Sequence, residues 1–352
     1  MELRAARRGE RDEVLDLLAL WYNDRDFFAR YNQLDSKFRD ELCLIARDNG
    51  ALVCTVQIFD RAVNLDGHRV PMGGIGSVFT RDDYRHKGVA SALMRLAVET
   101  MVREKFEVSL LFAERLTFYN QFGWCEVPRK FSVLMNAAGL RAPTEYEIDV
   151  FDAARDLTAI SDLHRGYTRG LNVSAVRDIQ DWQGNLAYAG NQPIDGAWEY
   201  FIVARDAERI RAYARVTRFH GITMVMEYAY APGAEEALLA LFHHLGEVTT
   251  GTRCSHRLRG DHDRTKQMAQ GSGATAPVGV LITHTAHDKP LEERLVKAGC
   301  TLSYHEDNNY MWRIISPQQL GRRLGLSPAE ASARAFELFA SDASVFWTSD
   351  RF

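Results

Sequence analysis

The sequence predicts an α/β protein, of the mixed α+β kind, with two consecutive domains of related fold and a short C-terminal tail. The chain has 352 residues, too many for one ordinary domain, and its 46% hydrophobic and 26% charged residues are typical of globular proteins. A strand, a loop and a helix follow one another at residues 74–102. A fainter copy of that order follows in the second half, which favours a tandem repeat.

The first strand-loop-helix segment carries the clearest chemistry in the chain. Residues 74–79 are rich in small and β-branched side chains and predict a strand, whereas apolar residues at helical spacing predict a helix over 91–102. The loop between them contains Arg85, Lys87 and Gly88. The start of a helix has unpaired N–H groups and a partial positive charge, and a glycine lets a phosphate approach the chain. The segment therefore predicts a diphosphate site.

The Arg-x-x-Gly-x-Ala pattern of residues 85–90 resembles the acetyl-CoA signature of the GNAT (Gcn5-related) N-acetyltransferases. A second apolar run, 108–112, is followed by residues 118–124, which look like the second motif of that family. The alternative for residues 85–90 is an ordinary helix-start loop with solvated basic residues. The glycines at 73–76 do not indicate a dinucleotide-binding fold, because they precede a strand instead of following one.

The resemblance implies a central sheet whose two middle strands splay apart, with the pantetheine arm of acetyl-CoA inserted between them. It implies acetyl-CoA as cosubstrate and no metal. The residues that it assigns to CoA binding are Val78, Phe79, Thr80, Arg85, His86, Lys87, Gly88, Val89, Ala90 and Ser91.

Acetyl transfer needs a proton for the departing thiolate and a donor that polarises the thioester carbonyl. Tyr119 is the predicted general acid, because a phenol with a pKa of about 10 keeps its proton at neutral pH beside a thiol with a pKa of about 8.5. The alternative is a tyrosine that only packs. A main-chain amide of the strand is the predicted donor to the carbonyl, with Phe79 as its centre.

The second half matches the first at a constant difference of 145 residues, but it lacks this chemistry. At that shift Arg85 becomes Tyr230, Lys87 becomes Pro232, and Ala90-Ser91 become Glu235-Glu236. Proline has no N–H, and two carboxylates repel a diphosphate. We therefore expect a degenerate copy that binds no CoA at this position, with a glycine-rich loop at residues 257–276.

One active and one degenerate GNAT domain followed by a tail is similar to the Eis-like acetyltransferases, here with a shortened sterol-carrier-like region. The expected division is 1–140, 146–315 and 316–352, with the tail docked on the N-terminal domain. The tail has three aromatic residues within its last nine, which indicates a docked terminus. The resemblance gives the α-carboxylate of Phe352 a catalytic role, and the alternative is an aromatic plug that seals a groove between domains.

The resemblance implies a small amine as the acceptor, such as a polyamine, an aminoglycoside or a lysine side chain. Asp24, Asp26 and Glu114 are the candidate substrate-binding carboxylates. Two other functions stay open: a CoA-binding sensor without catalysis, and transfer of a longer acyl group.

Charge and composition bear on partners and location. A net charge of −4 with both signs scattered argues against nucleic acid as a main partner, and the absence of a long apolar run argues against a membrane span. The start has no signal-peptide pattern, so we expect a cytoplasmic protein, with a homo-oligomer still open. The five cysteines and the histidines lack the paired spacing of a zinc site, so no metal site is predicted.

Overall fold

The computed structural model describes residues 1–22, 24–189, 199–219, 222–250, 258–259 and 279–350. Within these ranges the chain forms two mixed β-sheets with helices packed on them, each sheet having its own buried apolar cluster. The predicted α+β class with two related sheets is thereby confirmed.

The first sheet has nine strands in the described part of the chain. They are β1 (Glu2–Ala5), β2 (Cys43–Asp48), β3 (Ala51–Leu65), β4 (His68–Thr80), β5 (Val108–Phe112), β6 (Cys125–Glu126), β9 (Val173–Ala175), β16 (Tyr310–Ile314) and β17 (Ser344–Val345). The main path runs β1-β2-β3-β4-β5-β16-β6, while β9 pairs with β3 and with β17. Strands β1 to β4 are antiparallel neighbours, and β4 and β5 are parallel.

The second sheet has eight strands among the described residues. They are β7 (Arg129–Met135), β8 (Glu147–Val150), β10 (Glu199–Asp206), β11 (Arg209–Phe219), β12 (Ile222–Tyr230), β13 (Leu258–Arg259), β14 (Leu281–Thr283) and β15 (Thr301–Asp307). Their order is β13-β8-β10-β11-β12-β14-β7-β15, with β12 and β14 parallel. Apart from β13, nearly all of the predicted loop 257–276 lies outside the described residues.

The described helices are α1 (Arg11–Tyr22), α2 (Arg25–Leu34), α3 (Val89–Arg103), α4 (Leu116–Asn120), α5 (Ala153–Thr168), α6 (Ile179–Ala189), α7 (Glu235–Thr250), α8 (Lys289–Lys297), α9 (Pro317–Leu324) and α10 (Pro328–Phe339). Among these residues, no helix is long and apolar enough to cross a membrane.

The repeat that the sequence indicated is visible as a repeated crossover. In the first sheet β4 leads through α3 to its parallel neighbour β5, and in the second sheet β12 is followed by α7 and pairs in parallel with β14. The glycine run before the first crossover has a packing role, because a Cβ on Gly73 would lie 2.6 Å from the sulfur of Met101 on α3. Small residues there let the helix approach the sheet.

The two sheets exchange strands, which the sequence did not predict. β7 precedes the expected boundary at residue 140 but pairs with β14 and β15 in the second sheet. β16 belongs to the range 146–315 but pairs with β5 and β6 in the first sheet. The ranges 1–140 and 146–315 therefore do not coincide with the sheets, because the strand pattern of 130–135 does not specify its partner.

The tail packs against both sheets instead of the N-terminal one alone. Leu338, Phe339 and Phe346 belong to the apolar cluster beneath β5 and β16, while Trp347 is fully buried in the main cluster of the second sheet. β17 joins β9 in parallel pairing. The burial of Phe346 and Trp347 agrees with the groove-sealing alternative, whereas Phe352 lies outside the described residues.

Candidate active site

The two middle strands of the first sheet separate at their carboxyl ends. Pairing of β4 with β5 runs from Met72 with Val108 to Ile75 with Leu111 and then stops, although β4 continues to Thr80. A bulge interrupts the pairing of β4 with β3 between Thr55 and Gln57, and Ser77 there has a φ of +49°. A bulge bends a strand and strengthens its twist. The last residues of β4 thus leave one strand edge available for hydrogen bonds.

The strand register determines which amides face the separation. Arg81 donates its N–H to the carbonyl oxygen of Val53 at 3.0 Å, and Phe79 stands opposite Thr55. Because N–H groups alternate sides along an extended strand, the amide of Phe79 points toward β3. The amides of Val78 and Thr80 point toward the open side, where the carbonyl of Thr80 accepts a bond from Nε of Arg85 at 3.4 Å. The sequence placed the carbonyl donor at Phe79, and the register instead favours its two neighbours.

The packing of the Phe79 side chain accounts for an apolar residue at this position. The side chain is 7% exposed and packs with residues of α1 and β2 in a small apolar cluster. Its role in the described structure is thus to hold α1 against the sheet.

The loop after β4 ends in a helix start without a side-chain cap. Gly88 precedes α3 with a φ of +78°, no side chain caps the helix, and its first turn contains no acidic residue. Such an end leaves N–H groups available to an anion. His86 also has a positive φ, of 60°, while Val89, Ala90 and Ser91 form the first turn. These observations fit a diphosphate at the N-terminus of α3.

The two basic side chains of the loop are held at its surface. Arg85 is ion-paired with Asp82 at 2.8 Å, and its guanidinium lies 5.3 Å from the centre of the Trp21 ring. The ammonium of Lys87 lies 5.0 Å from the centre of the Tyr84 ring. The ring contact leaves the positive charge of Lys87 beside the helix start, whereas the carboxylate of Asp82 offsets the charge of Arg85.

Tyr119 lies in the short helix α4, which follows β5. Its ring packs edge-to-face on Phe118 at 4.9 Å, and the residue is partly buried against the apolar cluster that contains α3. The segment after β5 thus places Tyr119 beyond the carboxyl end of β5, the end at which β4 and β5 separate.

The three candidate carboxylates occupy different environments. Asp24 caps α2, since its Oδ1 accepts the N–H of Phe27 at 2.9 Å. Asp26 is exposed in the first turn of that helix, and Glu114 is exposed on a shallow depression that also includes Thr117 and Glu126. A capping role accounts for Asp24 without any ligand.

A cleft between the two halves of the molecule was not predicted. We call it the interdomain cleft; it is lined by Tyr31 from α2, Asp35 directly after α2, Arg61 from β3, residues of α6, and Phe346 and Asp350 of the tail. Arg61 donates to Asp35 at 2.8 Å and to the Tyr31 hydroxyl at 2.9 Å, and burial raises the pKa of Tyr31 to about 12. These residues come from separate segments, so spacing along the chain contains no signal for the cleft.

The second sheet has the same strand separation, but side chains bridge it. β12 leaves β14 after the pair of Met224 with Ile282. The hydroxyl of Tyr230 donates to Asp288 at 2.7 Å, that of Tyr167 donates to Asp288 at 2.9 Å, and that of Tyr228 donates to the carbonyl of His284 at 3.0 Å.

The helix start in the second sheet also differs in charge. Four residues separate β12 from α7, compared with eight between β4 and α3. Glu235 and Glu236 occupy the first turn of α7, and Arg294 pairs with Glu236 at 2.6 Å. This geometry agrees with the expected loss of the diphosphate site.

Metal ligands are not grouped in the parts of the chain that the structure describes: no three His, Cys, Asp or Glu side chains there are placed to hold a metal ion. Cys43, Cys54 and Cys300 are buried thiols, and burial raises the pKa of Cys43 to about 12. Cys254, His256 and the residues 261–263 lie outside the described ranges.

Residues 2–127 match the family model for the acetyltransferase (GNAT) domain. The N-terminal third of the chain thus carries a GNAT acetyltransferase domain, and that domain family implies an acyl-CoA cosubstrate and an acceptor. No curated protein matches the chain.

Solved GNAT structures share the fold over nearly the whole chain. A protein of Enterococcus faecalis described as a probable N-acyltransferase has a TM-score of 0.66 at 16% identity, covering 92% of this chain and 74% of its own. A GCN5-related N-acetyltransferase from Anabaena variabilis has a TM-score of 0.62 at 14% identity, covering 90% and 73%. Eis1 from Mycobacterium abscessus has a TM-score of 0.58 at 13% identity, covering 91% and 75%. The tandem architecture predicted from the sequence is thus confirmed.

Proposed function

We propose that this chain transfers an acetyl group from acetyl-CoA to a primary amine of a small cationic molecule or a lysine-type side chain, by direct attack in a ternary complex. One observation carries the proposal: β4 separates from β5 next to a helix start that has no side-chain cap and no acidic residue. The first feature offers main-chain partners to an extended pantetheine arm, and the second offers amides to its diphosphate.

The proposed CoA site uses backbone groups and the basic side chains of Arg85 and Lys87. Val78, Phe79 and Thr80 form its strand, with the amides of Val78 and Thr80 facing the cosubstrate. Its diphosphate loop comprises Arg85, His86, Lys87, Gly88, Val89, Ala90 and Ser91.

The proposed reaction joins the acceptor nitrogen to the carbonyl carbon and breaks the carbon–sulfur bond. An amide N–H of β4 stabilises the oxyanion, and Tyr119 gives its proton to the departing thiolate. The products are an N-acetyl amine and CoA. The proton that the amine loses goes to a base, for which the sequence offers the terminal carboxylate of Phe352; Asp26 and Glu114 are further carboxylates for attracting the ammonium.

A Tyr119→Phe variant tests the proposal. We expect kcat for CoA release with an amine acceptor to fall about 100-fold, because the general acid is lost, while CoA binding measured by calorimetry stays within about twofold. Tyr304→Phe is the matched control, since that phenol lies in the second sheet and donates to Glu292 at 2.7 Å. An unchanged kcat removes Tyr119 from the mechanism.

The same assay separates the two open alternatives. Tight CoA binding without product formation across a panel of amines identifies a sensor. A higher kcat/KM with long-chain acyl-CoA than with acetyl-CoA identifies transfer of a longer acyl group. Removal of Phe352 tests the terminal carboxylate, and full retained activity shows that it is not the base.

A further inference from the structure

The end of the tail is held by a buried ionic cluster in the second half of the molecule. The side chain of Arg177 is 5% exposed and donates to both carboxylate oxygens of Glu227, at 3.0 and 2.8 Å. Its Nε donates to Oδ1 of Asp350 at 2.7 Å. One arginine on the segment before α6 thus joins a strand of the second sheet to the tail.

Further contacts fix the geometry of this cluster. Glu227 is fully buried and accepts the hydroxyl of Tyr213 at 2.5 Å and that of Ser349. The guanidinium of Arg177 lies 4.5 Å from the centre of the Trp182 ring. A planar guanidinium that makes bidentate bonds and stacks on a ring has little freedom to move.

The tail supplies the second carboxylate that faces Arg177. Arg177 is 5% exposed and is paired with Glu227 at 2.8 Å and with Asp350 at 2.6 Å. Without Asp350 this buried guanidinium loses one of its two carboxylate partners, and removing a partner from a buried charge is strongly unfavourable. The second sheet therefore stabilises the tail in this one position.

The held segment forms a wall of the interdomain cleft. Phe346 and Asp350 line the cleft opposite Tyr31 and Arg61. The ring of Phe346 also lies 6.0 Å from that of Phe112, the last residue of β5. The tail therefore connects the cleft with the end of the strand beside which β4 and β5 separate.

We propose that Arg177 is a positioning residue for the acceptor: by holding Ser349 and Asp350 against Glu227, it fixes the tail as one wall of the interdomain cleft, and this cleft receives the amine. The degenerate half thus supplies the fixed support for a wall of the acceptor site. The inference rests on the proposed acetyltransferase function.

The first test replaces Arg177 by Met, which keeps the apolar stem over Trp182 and removes the charge. We expect the KM for the amine to rise about tenfold or more, because a misplaced wall misaligns the acceptor, while the KM for acetyl-CoA stays within about twofold. Arg205→Met is the matched control: Arg205 is 5% exposed in the same sheet and donates to Asp156 at 2.7 Å, away from the tail. It should lower stability without changing the KM for the amine.

Variants of the tail itself keep the inference testable if Arg177→Met does not fold. Asp350→Asn should raise the amine KM in the same direction, with Asp342→Asn as control, since Asp342 is an exposed tail carboxylate 3.5 Å from Lys130. Arg177→Lys should raise the amine KM less than Arg177→Met does, because lysine keeps the charge but lacks the planar guanidinium that bonds both carboxylate oxygens. The double variant Arg177→Met/Asp350→Asn should have little further effect, since both changes break the same contact.

Hydrogen exchange separates this inference from the proposed function. In Arg177→Met and Asp350→Asn, amides of residues 344–350 should exchange faster than in the parent chain, and in Arg205→Met they should not. Unchanged exchange, or an amine KM that moves no more than the acetyl-CoA KM, overturns the inference. A parent chain that acetylates no amine overturns the proposed function, and exchange then still decides whether Arg177 holds the tail.

Discussion

The two sheets contain the same strand separation, but it is open in the first sheet and bridged by side chains in the second. In the first, the part of β4 beyond its last pair with β5 runs from Gly76 to Thr80, and its one large side chain, Phe79, packs against α1 and β2. In the second, the corresponding part of β12 carries Tyr228 and Tyr230, whose hydroxyls reach the chain that follows β14. The proposed CoA site and a packed core thus share one backbone topology, and the side chains at a few positions distinguish them.

The difference extends to the helix that follows. The start of α3 offers uncapped amides and no carboxylate, whereas the start of α7 carries two glutamates paired with Arg294. The second sheet also receives Trp347 from the tail, whose ring packs at 4.9 Å on Tyr228. Acidic residues at the helix start and dense internal packing thus occur together in the second sheet.

Introducing the two glutamates of the α7 start at the start of α3 should have the largest effect, which is on CoA binding. An Ala90→Glu/Ser91→Glu variant places two carboxylates at the diphosphate loop, each costing about 3 kcal/mol at about 5 Å and an effective dielectric of about 20. We expect calorimetry to detect no CoA binding. Val102→Glu, on an exposed position near the end of the same helix, is the control and should bind CoA normally. Retained affinity in the double variant would place the diphosphate elsewhere.

Trp347→Ala tests whether the side chains that pack at the strand separation of the second sheet stabilise the fold. The side chain is fully buried in the main cluster of the second sheet, so we expect a loss of about 3–5 kcal/mol in the free energy of unfolding, measured with urea. Trp21→Ala should cost less than about 0.5 kcal/mol, because Trp21 is 61% exposed beside the first site. Equal losses would contradict the distinction between packing and binding.

Acid should destabilise the second half first. Burial lowers the pKa of His164 and of His287 from 6.5 to about 3. A histidine whose pKa is lower in the folded than in the unfolded state contributes stability above pH 6.5, which is lost as the pH falls toward 3. Each group loses about 1.4 kcal/mol per pH unit in that window, so the two together lose about 3 kcal/mol per unit.

Hydrogen exchange between pH 6.5 and 5 measures this loss and should show it in α5 and α8 before α3. A His164→Phe/His287→Phe variant should have a shallower pH dependence, and His68→Phe, at an exposed position of β4, should not. An equal pH dependence for the parent chain and both variants would contradict the assignment.

The smallest expected effect concerns repair of the second site. Glu235→Ala/Glu236→Ala removes the repelling carboxylates and the pairs with Arg294, which is about half exposed, so stability should change by less than about 1 kcal/mol. No second CoA should bind, because Tyr167, Tyr228 and Tyr230 still bridge the strands. A calorimetric stoichiometry of two would show that charge alone had closed the site.

The parts of the fold that were predictable depend on local sequence. Small and β-branched residues before Gly88 and helical spacing after it determine a strand and a helix wherever the chain places them. The carboxylates at 235 and 236 likewise indicated the degenerate copy before any contact was known. The exchange of β7 and β16 was not predictable, since a strand pattern shows alternation but not which edge it joins.

The candidate site divides in the same way. The diphosphate loop is one continuous segment, so its residues could be named from the sequence. The interdomain cleft collects Tyr31, Arg61, Arg177 and Asp350 from four segments, and only the packing of the two sheets brings them together. Phe79 shows a subtler limit: its segment was recognised, but the direction of its amide depends on a register that the bulge at Ser77 sets.

The exchanged strands affect how the protein folds during its synthesis. During synthesis the outer edge of β5 has no partner until Tyr310–Ile314 leaves the ribosome, because β16 is the strand that covers it. An open edge invites pairing with other chains, and long-range strand pairing is slow. When residues 2–127, the range that matches the family model, have been synthesised, nearly two hundred further residues must follow before β16 can pair with β5 and complete the first sheet. A fragment truncated to residues 2–127 would therefore be prone to aggregate through the unpaired edge of β5.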